Sequence, residues 1–368
     1  MKRKSAEFLK LCITVLCVCI CLLCAVVRLG EWVRENGANA LMFAAGVKLE
    51  SAENSEAQNA STDLQQEKTA QEDSAIPIDR STILMDSDGI VPFHSDELPS
   101  SITTPNPKKT SFPVEETKIG GGTQIGEIFV KDNSGSGLNL AEEMKKSSAI
   151  NMKMNGEVEV LIYHTHTSEA YLDSFTGFYY KDYTTRTQNQ DMNVVAVGNE
   201  IERVLGEAGI GVVHDKTVND KIYNGSYSRS WDTIQRNLEE YPTIQVTIDI
   251  HRDSMAGNDG LRYKPTAQIN GRKAAQIMLI AGCDYNNEMD FPNWQDNLHL
   301  ALQMQKTAQS MYPGLFRPLN FSYCKYNMNA TKGSMLAEVG TEVNTISEAK
   351  YSGKLLGDII VETLKNLK

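Results

Sequence analysis

The hydrophobic positions of this 368-residue chain fall into three zones. Residues 11–27 are seventeen in a row without a charge. Residues 50–116 show no recurring apolar face. From about residue 117 onward, short apolar runs return and alternate between two periods. The run V-E-V-L-I-Y at 158–163 is apolar at nearly every position, which predicts a mostly buried strand. N-V-V-A-V-G-N-E-I-E-R-V-L at 193–205 has helical spacing, and Gly206 and Gly209 lead into a short strand at 210–213. Residues 232–241 read as a helix that Pro242 stops. T-I-Q-V-T-I-D-I at 243–250 is another strand, Asn270-Gly271 marks a tight turn, and 276–281 is a further strand. Residues 294–312 form a long amphipathic helix, 335–339 a strand and 347–364 a closing helix. Strands that alternate with helices, apolar enough to be covered on both faces, predict an α/β fold: a layered sheet flanked by helices.

The apolar zone at 11–27 follows Lys2, Arg3, Lys4 and Lys10. At ~1.5 Å per residue it reaches ~26 Å, enough to span a bilayer if flanking basic side chains snorkel. It reads as a retained single-span transmembrane anchor, residues 1–30. A cleaved signal peptide would need a shorter apolar region and a small-x-small site, whereas Ala25-Val26-Val27 runs straight into Arg28. The basic flank sets the amino terminus inside, so the rest of the chain is expected outside the cytoplasm. Residues 51–76 contain no aromatic, and residues 92–116 hold Pro92, Pro99, Pro105, Pro107 and Pro113 among Ser, Thr and Lys. Residues 31–116 are therefore expected to be a largely disordered tether, and residues 117–368 the folded body.

Composition narrows the function. The net charge is −11 although residues 1–30 alone are basic, and no basic stripe carries interleaved aromatics. So acidic a body repels phosphate backbones, which argues against nucleic-acid binding. Of seven cysteines, Cys12, Cys17, Cys19, Cys21 and Cys24 lie in the apolar span; only Cys283 and Cys324 remain, as a disulfide or as two buried thiols. Cysteine-rich zinc chemistry is excluded by that count.

The candidate chemistry sits where polar residues interrupt the strands. The strand at 158–163 runs into His164-Thr165-His166-Thr167-Ser168-Glu169, the strand at 243–250 into His251-Arg252-Asp253, and the strand at 335–339 contains Glu338. Parallel strands bring their carboxyl ends to one rim, where ligands bind. Two imidazoles, one carboxylate and a water are the ligand set of a catalytic zinc, and a further carboxylate can take the proton of the bound water. A His-x-His pair alone is weak, because strand alternation puts both side chains on one face, and buried histidines are more often structural. His94 and His299 read as bland, and His214 closes a strand as a spare. Asp253 has an ordinary reading as the ion-pair partner of Arg252.

The same segments resemble a known family. Val160-Leu161-Ile162-Tyr163-His164-Thr165-His166-Thr167-Ser168-Glu169, Ile248-Asp249-Ile250-His251-Arg252-Asp253, and Leu336-Ala337-Glu338-Val339-Gly340 with Asn344-Thr345 resemble the stage II sporulation protein P family. Tyr223-Asn224-Gly225-Ser226-Tyr227-Ser228-Arg229-Ser230 and Tyr312-Pro313-Gly314-Leu315 fit as well, and the resemblance covers roughly residues 125–368. It implies a membrane-anchored hydrolase of endospore formation, related to zinc-dependent N-acetylmuramoyl-L-alanine amidases and credited also with endopeptidase action on peptide cross-links. It implies a zinc-amidase-like fold, a Zn2+ cofactor, a peptidoglycan substrate, and stage II sporulation proteins D and M as partners in forespore engulfment.

Laid over the related amidases, His166 takes the place of their strand-end zinc histidine, with His164 its neighbour. Their acidic ligand falls where this chain reads Asn189-Gln190-Asp191 and lacks the usual Glu. Glu169 is therefore the expected third ligand and Asp191 the reserve, His251 the second imidazole, and Glu338 the catalytic carboxylate. His164, Arg252 and Arg229 are candidates for contact with substrate. Two rival readings stand beside this one: another zinc peptidase or deacetylase of the cell wall, and a non-catalytic anchored peptidoglycan-binding or scaffold protein.

Overall fold

The computed structural model describes residues 104–367. The expected anchor at 1–30 and His94 lie outside them, as does most of the expected tether. In chain order the strands are β1 (Ser111–Thr117), β2 (Thr123–Ile125), β3 (Ile128–Asn133), β4 (Val158–Tyr163), β5 (Phe178–Tyr180), β6 (Gly211–His214), β7 (Val246–Asp253), β8 (Arg262–Ile269), β9 (Arg272–Ala275), β10 (Ile277–Gly282), β11 (Leu319–Ser322) and β12 (Gly333–Thr341). The helices are α1 (Leu140–Glu143), α2 (Val194–Glu207), α3 (Ser226–Glu240), α4 (Trp294–Met311) and α5 (Ile346–Lys365). The architecture is mixed α/β, with an eight-stranded sheet in the order β2-β3-β11-β10-β12-β7-β4-β6 and a four-stranded sheet in the order β5-β1-β8-β9.

The centre of the large sheet explains why its strands read as apolar throughout. Strands β12, β7, β4 and β6 are parallel neighbours, so both faces must be covered. Along β4, Val160 and Ile162 join the main core with Val194, Val197, Ile201 and Leu205 of α2 and Leu355, Leu356 and Ile359 of α5. Leu161 and Tyr163 point the other way and pack with Ile234 of α3 and with Ile244. At about 1.5–3 kcal/mol for each fully buried large apolar side chain, this two-sided burial fixes the register of β4, since a one-residue slip would exchange its faces. The sheet is not parallel throughout: β10 runs antiparallel to β12, and β2 antiparallel to β3.

Local signals set several boundaries. Asn193 caps α2 by accepting the Val195 N–H, and Thr345 with Glu348 forms a reciprocal capping box at the start of α5. The β8–β9 hairpin turns at Asn270 and Gly271, both at positive φ, as an Asn-Gly signal requires.

The folded part begins earlier than the expected boundary at 117. Strand β1 pairs antiparallel with β5 through Ser111–Pro113 and parallel with β8 through Val114–Thr117. Pro113 stands outside the β8 pairing, where a missing N–H costs no ladder bond. The prolines and lysines around it carry no periodic pattern, because what orders β1 is pairing with segments some 70 and 150 residues away. Cys283 and Cys324, left open by the sequence, are free thiols on neighbouring strand ends.

Candidate active site

Strands β4, β7 and β12 deliver their carboxyl ends side by side. Glu338 of β12 stands opposite His251 of β7 in parallel register, and Asp249 of β7 stands opposite Tyr163, the last residue of β4. Because β4 ends at Tyr163 and the chain turns through Thr165–Ser168, the alternation that would align His164 with His166 is broken. The two imidazoles part company. His166 ends 5.3 Å from the His251 ring, centroid to centroid, with Tyr223 stacked on it at 4.8 Å and Tyr227 edge-on at 5.8 Å.

The turn is held from beneath by two buried carboxylates. Asp249 accepts the Thr165 N–H at 2.8 Å and the Thr165 hydroxyl at 2.6 Å. Asp220 accepts the Ser168 hydroxyl at 2.6 Å and pairs with Arg186 at 2.7 Å. Arg186 in turn lies 3.7 Å from Glu169 and over the Tyr223 ring. Glu169 accepts the Arg252 N–H at 3.0 Å and faces His251 Nδ1 at 3.6 Å. None of Asp249, Asp220, Arg186 or Tyr223 is a candidate from sequence reasoning. The Asp in the middle of I-D-I was the available signal, since a carboxylate inside a buried strand requires partners.

The electrostatics separate the groups. Burial opposes the charge of His251, but Asp249, Glu169 and Glu338 outweigh it and push its pKa up to about 10. Burial pushes His166 below the ordinary imidazole value, with Glu169 opposing. Burial also works against the Glu169 carboxylate, yet His251, Arg252, His166 and Arg186 hold it well below the usual range. Glu338 goes the other way: burial raises its pKa, His251 opposes, and the negative charges of Asp253 and Glu169 add to the rise. Two neighbouring carboxylates are thus driven apart, one ionised and one inclined to hold a proton.

Two buried polar atoms of this cluster are without a partner: His166 Nδ1 and Glu338 Oε2. Such orphans are costly and mark donors for a missing partner. Chemically, two imidazoles and a carboxylate fit a zinc ion. In this arrangement His251 Nε2 leans on Asp249 at 3.0 Å and Glu169 on the Arg252 N–H, and among the described residues no three His, Cys, Asp or Glu side chains are already set to hold a metal.

The remaining sequence candidates are placed elsewhere. Asp191 is exposed in the loop before α2. His164 is fully buried: Nδ1 donates to the Ile250 carbonyl at 2.9 Å and Nε2 faces His214 Nε2 at 2.8 Å, which corrects its expected contact with substrate. Burial and His214 push its pKa down to about 3. Gly198 of α2 makes room for this pair, since a Cβ there would lie 2.5 Å from the His214 ring. Arg252 is corrected likewise: it is buried, and its guanidinium bonds the Ala170 and Thr185 carbonyls. Asp253 pairs with Arg317 at 2.7 Å instead of with Arg252. The Arg229 guanidinium is spent on the carbonyls of Asn219, Ile222 and Asn224, clamping the loop ahead of α3. His299 bonds Glu143, the ordinary role expected of it.

Comparison with known proteins gives a family. The model of the family "Stage II sporulation protein P (SpoIIP)" matches residues 34–361. The stage II sporulation protein P of Bacillus subtilis (strain 168) is 29% identical over 216 residues, 55% of this chain and 50% of the relative. The match thus spans half the length of that curated relative. Among solved structures, the chain is similar to N-acetylmuramoyl-L-alanine amidase AmiC2 of Nostoc punctiforme (TM-score 0.33, 10% identity, 57% of this chain and 96% of that one). It is also similar to the CwlD amidase from Clostridioides difficile, solved in complex with the GerS lipoprotein (TM-score 0.35, 11% identity, 57% and 98%). The N-acetylmuramoyl-L-alanine amidase from Clostridium difficile 630 gives TM-score 0.33 with 17% identity over 58% and 97%. Likenesses of this size assign no residue.

Proposed function

The chain belongs to the stage II sporulation protein P family, and on that premise we propose that it is a peptidoglycan hydrolase of sporulation that cleaves the N-acetylmuramoyl-L-alanine amide. The observation that carries the proposal is the meeting of His166, Glu169, His251 and Glu338 at three adjacent strand ends, with His166 Nδ1 and Glu338 Oε2 buried and left without partners.

His166, Glu169 and His251 would hold a zinc ion, and Asp191, exposed in its loop, stays the reserve. Zinc, when bound, lowers the pKa of a coordinated water toward ~7 and polarises an amide carbonyl. The protein's own part is positional and protonic. Asp249 orients the His251 ring from one side, as a carboxylate behind a ligand histidine does. Arg186 and the Arg252 N–H fix the Glu169 carboxylate. Glu338, whose affinity for a proton is raised, accepts one at Oε2 from the attacking water and returns it to the departing alanine nitrogen. Tyr223, stacked on His166, covers the ring and limits water around it.

The proposal keeps the hydrolase outside the cytoplasm, anchored through residues 11–27, and working with stage II sporulation proteins D and M. Cleavage of peptide cross-links by the same site belongs to it as a second activity. The test is mass analysis of purified peptidoglycan digested with the full chain. Free stem peptides and intact glycan are expected, and Glu338→Gln should abolish them while the protein keeps its zinc. Release of D-alanine or acetate in their place would assign a different hydrolase, and wall binding with no new amine ends would make the protein a scaffold.

A further inference from the structure

A cleft of about 500 Å³ opens beside the strand-end cluster, walled by Tyr171, Phe178, Tyr179, Tyr180, Tyr183 and Met192. Its tyrosine hydroxyls are each engaged with the backbone. Tyr171 donates to the Val339 carbonyl at 2.9 Å, Tyr179 to the Gly260 carbonyl at 2.6 Å, and Tyr183 to the Glu342 carbonyl at 2.8 Å. The Tyr180 hydroxyl accepts the Asn106 N–H at 3.0 Å. Anchored in this way, the rings present their apolar bodies and not their hydroxyls, and they do so without side-chain freedom left to lose on binding. Phe178 sits edge-on to Tyr180, half-buried, as the wall's one ring without a hydroxyl.

The cleft borders the candidate active site through its own wall: Ala170 follows Glu169 in the chain, and the Tyr171 hydroxyl bonds the carbonyl of the residue after Glu338. The charged residues on the lining are Asp173 and Asp182, both exposed; Asp182 is paired with Lys109 at 3.0 Å, and that ammonium also lies over the Tyr180 ring. Ring faces therefore outnumber charges on this wall, and a neutral pyranose, whose C–H face lies flat on an aromatic ring, matches it.

We propose that this cleft is a saccharide subsite, which holds neutral N-acetylhexosamine rings of the glycan strand next to the scissile amide. The inference rests on the peptidoglycan-hydrolase reading for its substrate class. It makes aromatic stacking in the cleft, and not ionic contact from Arg229 or Arg252, the source of glycan affinity.

The probe is chitotetraose, a neutral N-acetylglucosamine tetramer without lactyl group or peptide, titrated into the full chain by calorimetry. Binding is expected, with Phe178→Ala weakening it about tenfold or more and Phe178→Trp restoring it. Phe178→Leu keeps apolar volume but removes the ring, so it should fold as the parent by circular dichroism and bind as poorly as Phe178→Ala. No binding by the parent protein, or equal binding by Phe178→Leu, overturns the subsite, as does displacement of the tetramer by a sugar-free stem peptide. Wall hydrolysis without tetramer binding removes the subsite alone. Tetramer binding lost in Phe178→Leu, together with no wall hydrolysis, keeps the subsite and removes the hydrolase reading.

Discussion

Asp249 Oδ1 lies 3.0 Å from His251 Nε2, two residues along one strand, while Oδ2 of the same carboxylate accepts the Thr165 hydroxyl at 2.6 Å. One fully buried carboxylate therefore aims the second imidazole and ties down the turn that carries the first. Asp249→Asn keeps the shape but replaces an acceptor oxygen by an amide donor and removes the charge that faces His251. We expect a loss of about 1–3 kcal/mol in stability and about ten- to a hundredfold in metal affinity or hydrolysis. Urea unfolding and zinc titration measure the two; a variant with parental zinc affinity would show that Asp249 does not aim His251.

Metal content separates the cluster from its surroundings. His166→Ala and His251→Ala are each expected to lose zinc and hydrolysis together, whereas Asp191→Ala, exposed in its loop, should keep both. Elemental analysis of the purified variants reads this directly. Parental zinc in His166→Ala would take that residue out of the ligand set, and zinc lost from Asp191→Ala would bring Asp191 in.

Gly198 offers an unusual sign. In an exposed helix interior, Gly→Ala stabilises by about 0.8–1.0 kcal/mol. Here the added Cβ would meet His214 at 2.5 Å and His164 at 3.1 Å, and the pair beneath is backed by the sheet. Gly198→Ala is expected to destabilise by about 1–3 kcal/mol, seen as an earlier midpoint in urea. A later midpoint would mean that the histidine pair yields freely.

Asp215 predicts a dependence on acid. Burial works against its charge, but bonds from Thr217, Asn237 and Arg236 outweigh it and hold the carboxyl below the usual aspartate value. As pH falls, the unfolded chain takes up this proton first. The contribution of Asp215 is thus complete above about pH 4, the ordinary aspartate value, and is lost as pH drops through the lower value of the folded state. Denaturant midpoints of the parent and Asp215→Asn, compared at pH 6 and pH 3, should lie far apart at the higher pH and converge at the lower. A gap that stays constant with pH would contradict this.

Much of the sheet and its helices was legible in the chain. The strands at 158–163 and 276–281, and the helices at 193–205, 294–312 and 347–364, appear within a few residues of where periodicity and caps put them. Their information is local: a buried strand or an amphipathic helix must show its period in its own residues. Strands β1, β5, β8 and β9 were not legible as a sheet. β5 and β9 are short, β1 is half-exposed, β8 is buried but interrupted by Lys264, Pro265 and Gln268, and β1 gains its order from partners far along the chain.

The site divides along the same line. The sequence by itself determined that polar residues end three apolar strands, because imidazoles and carboxylates stand out where a core would take Val or Ile. The tertiary structure alone decided that those strands lie adjacent in the order β12-β7-β4 and that His164 and His166 turn to different surroundings. It also decided that Arg252 and Arg229 serve backbone carbonyls. Alternation binds side-chain direction to sequence only while a strand continues. Once the chain turns, a side chain goes where distant partners such as Asp249, Asp220 and His214 satisfy it, and no local pattern records them.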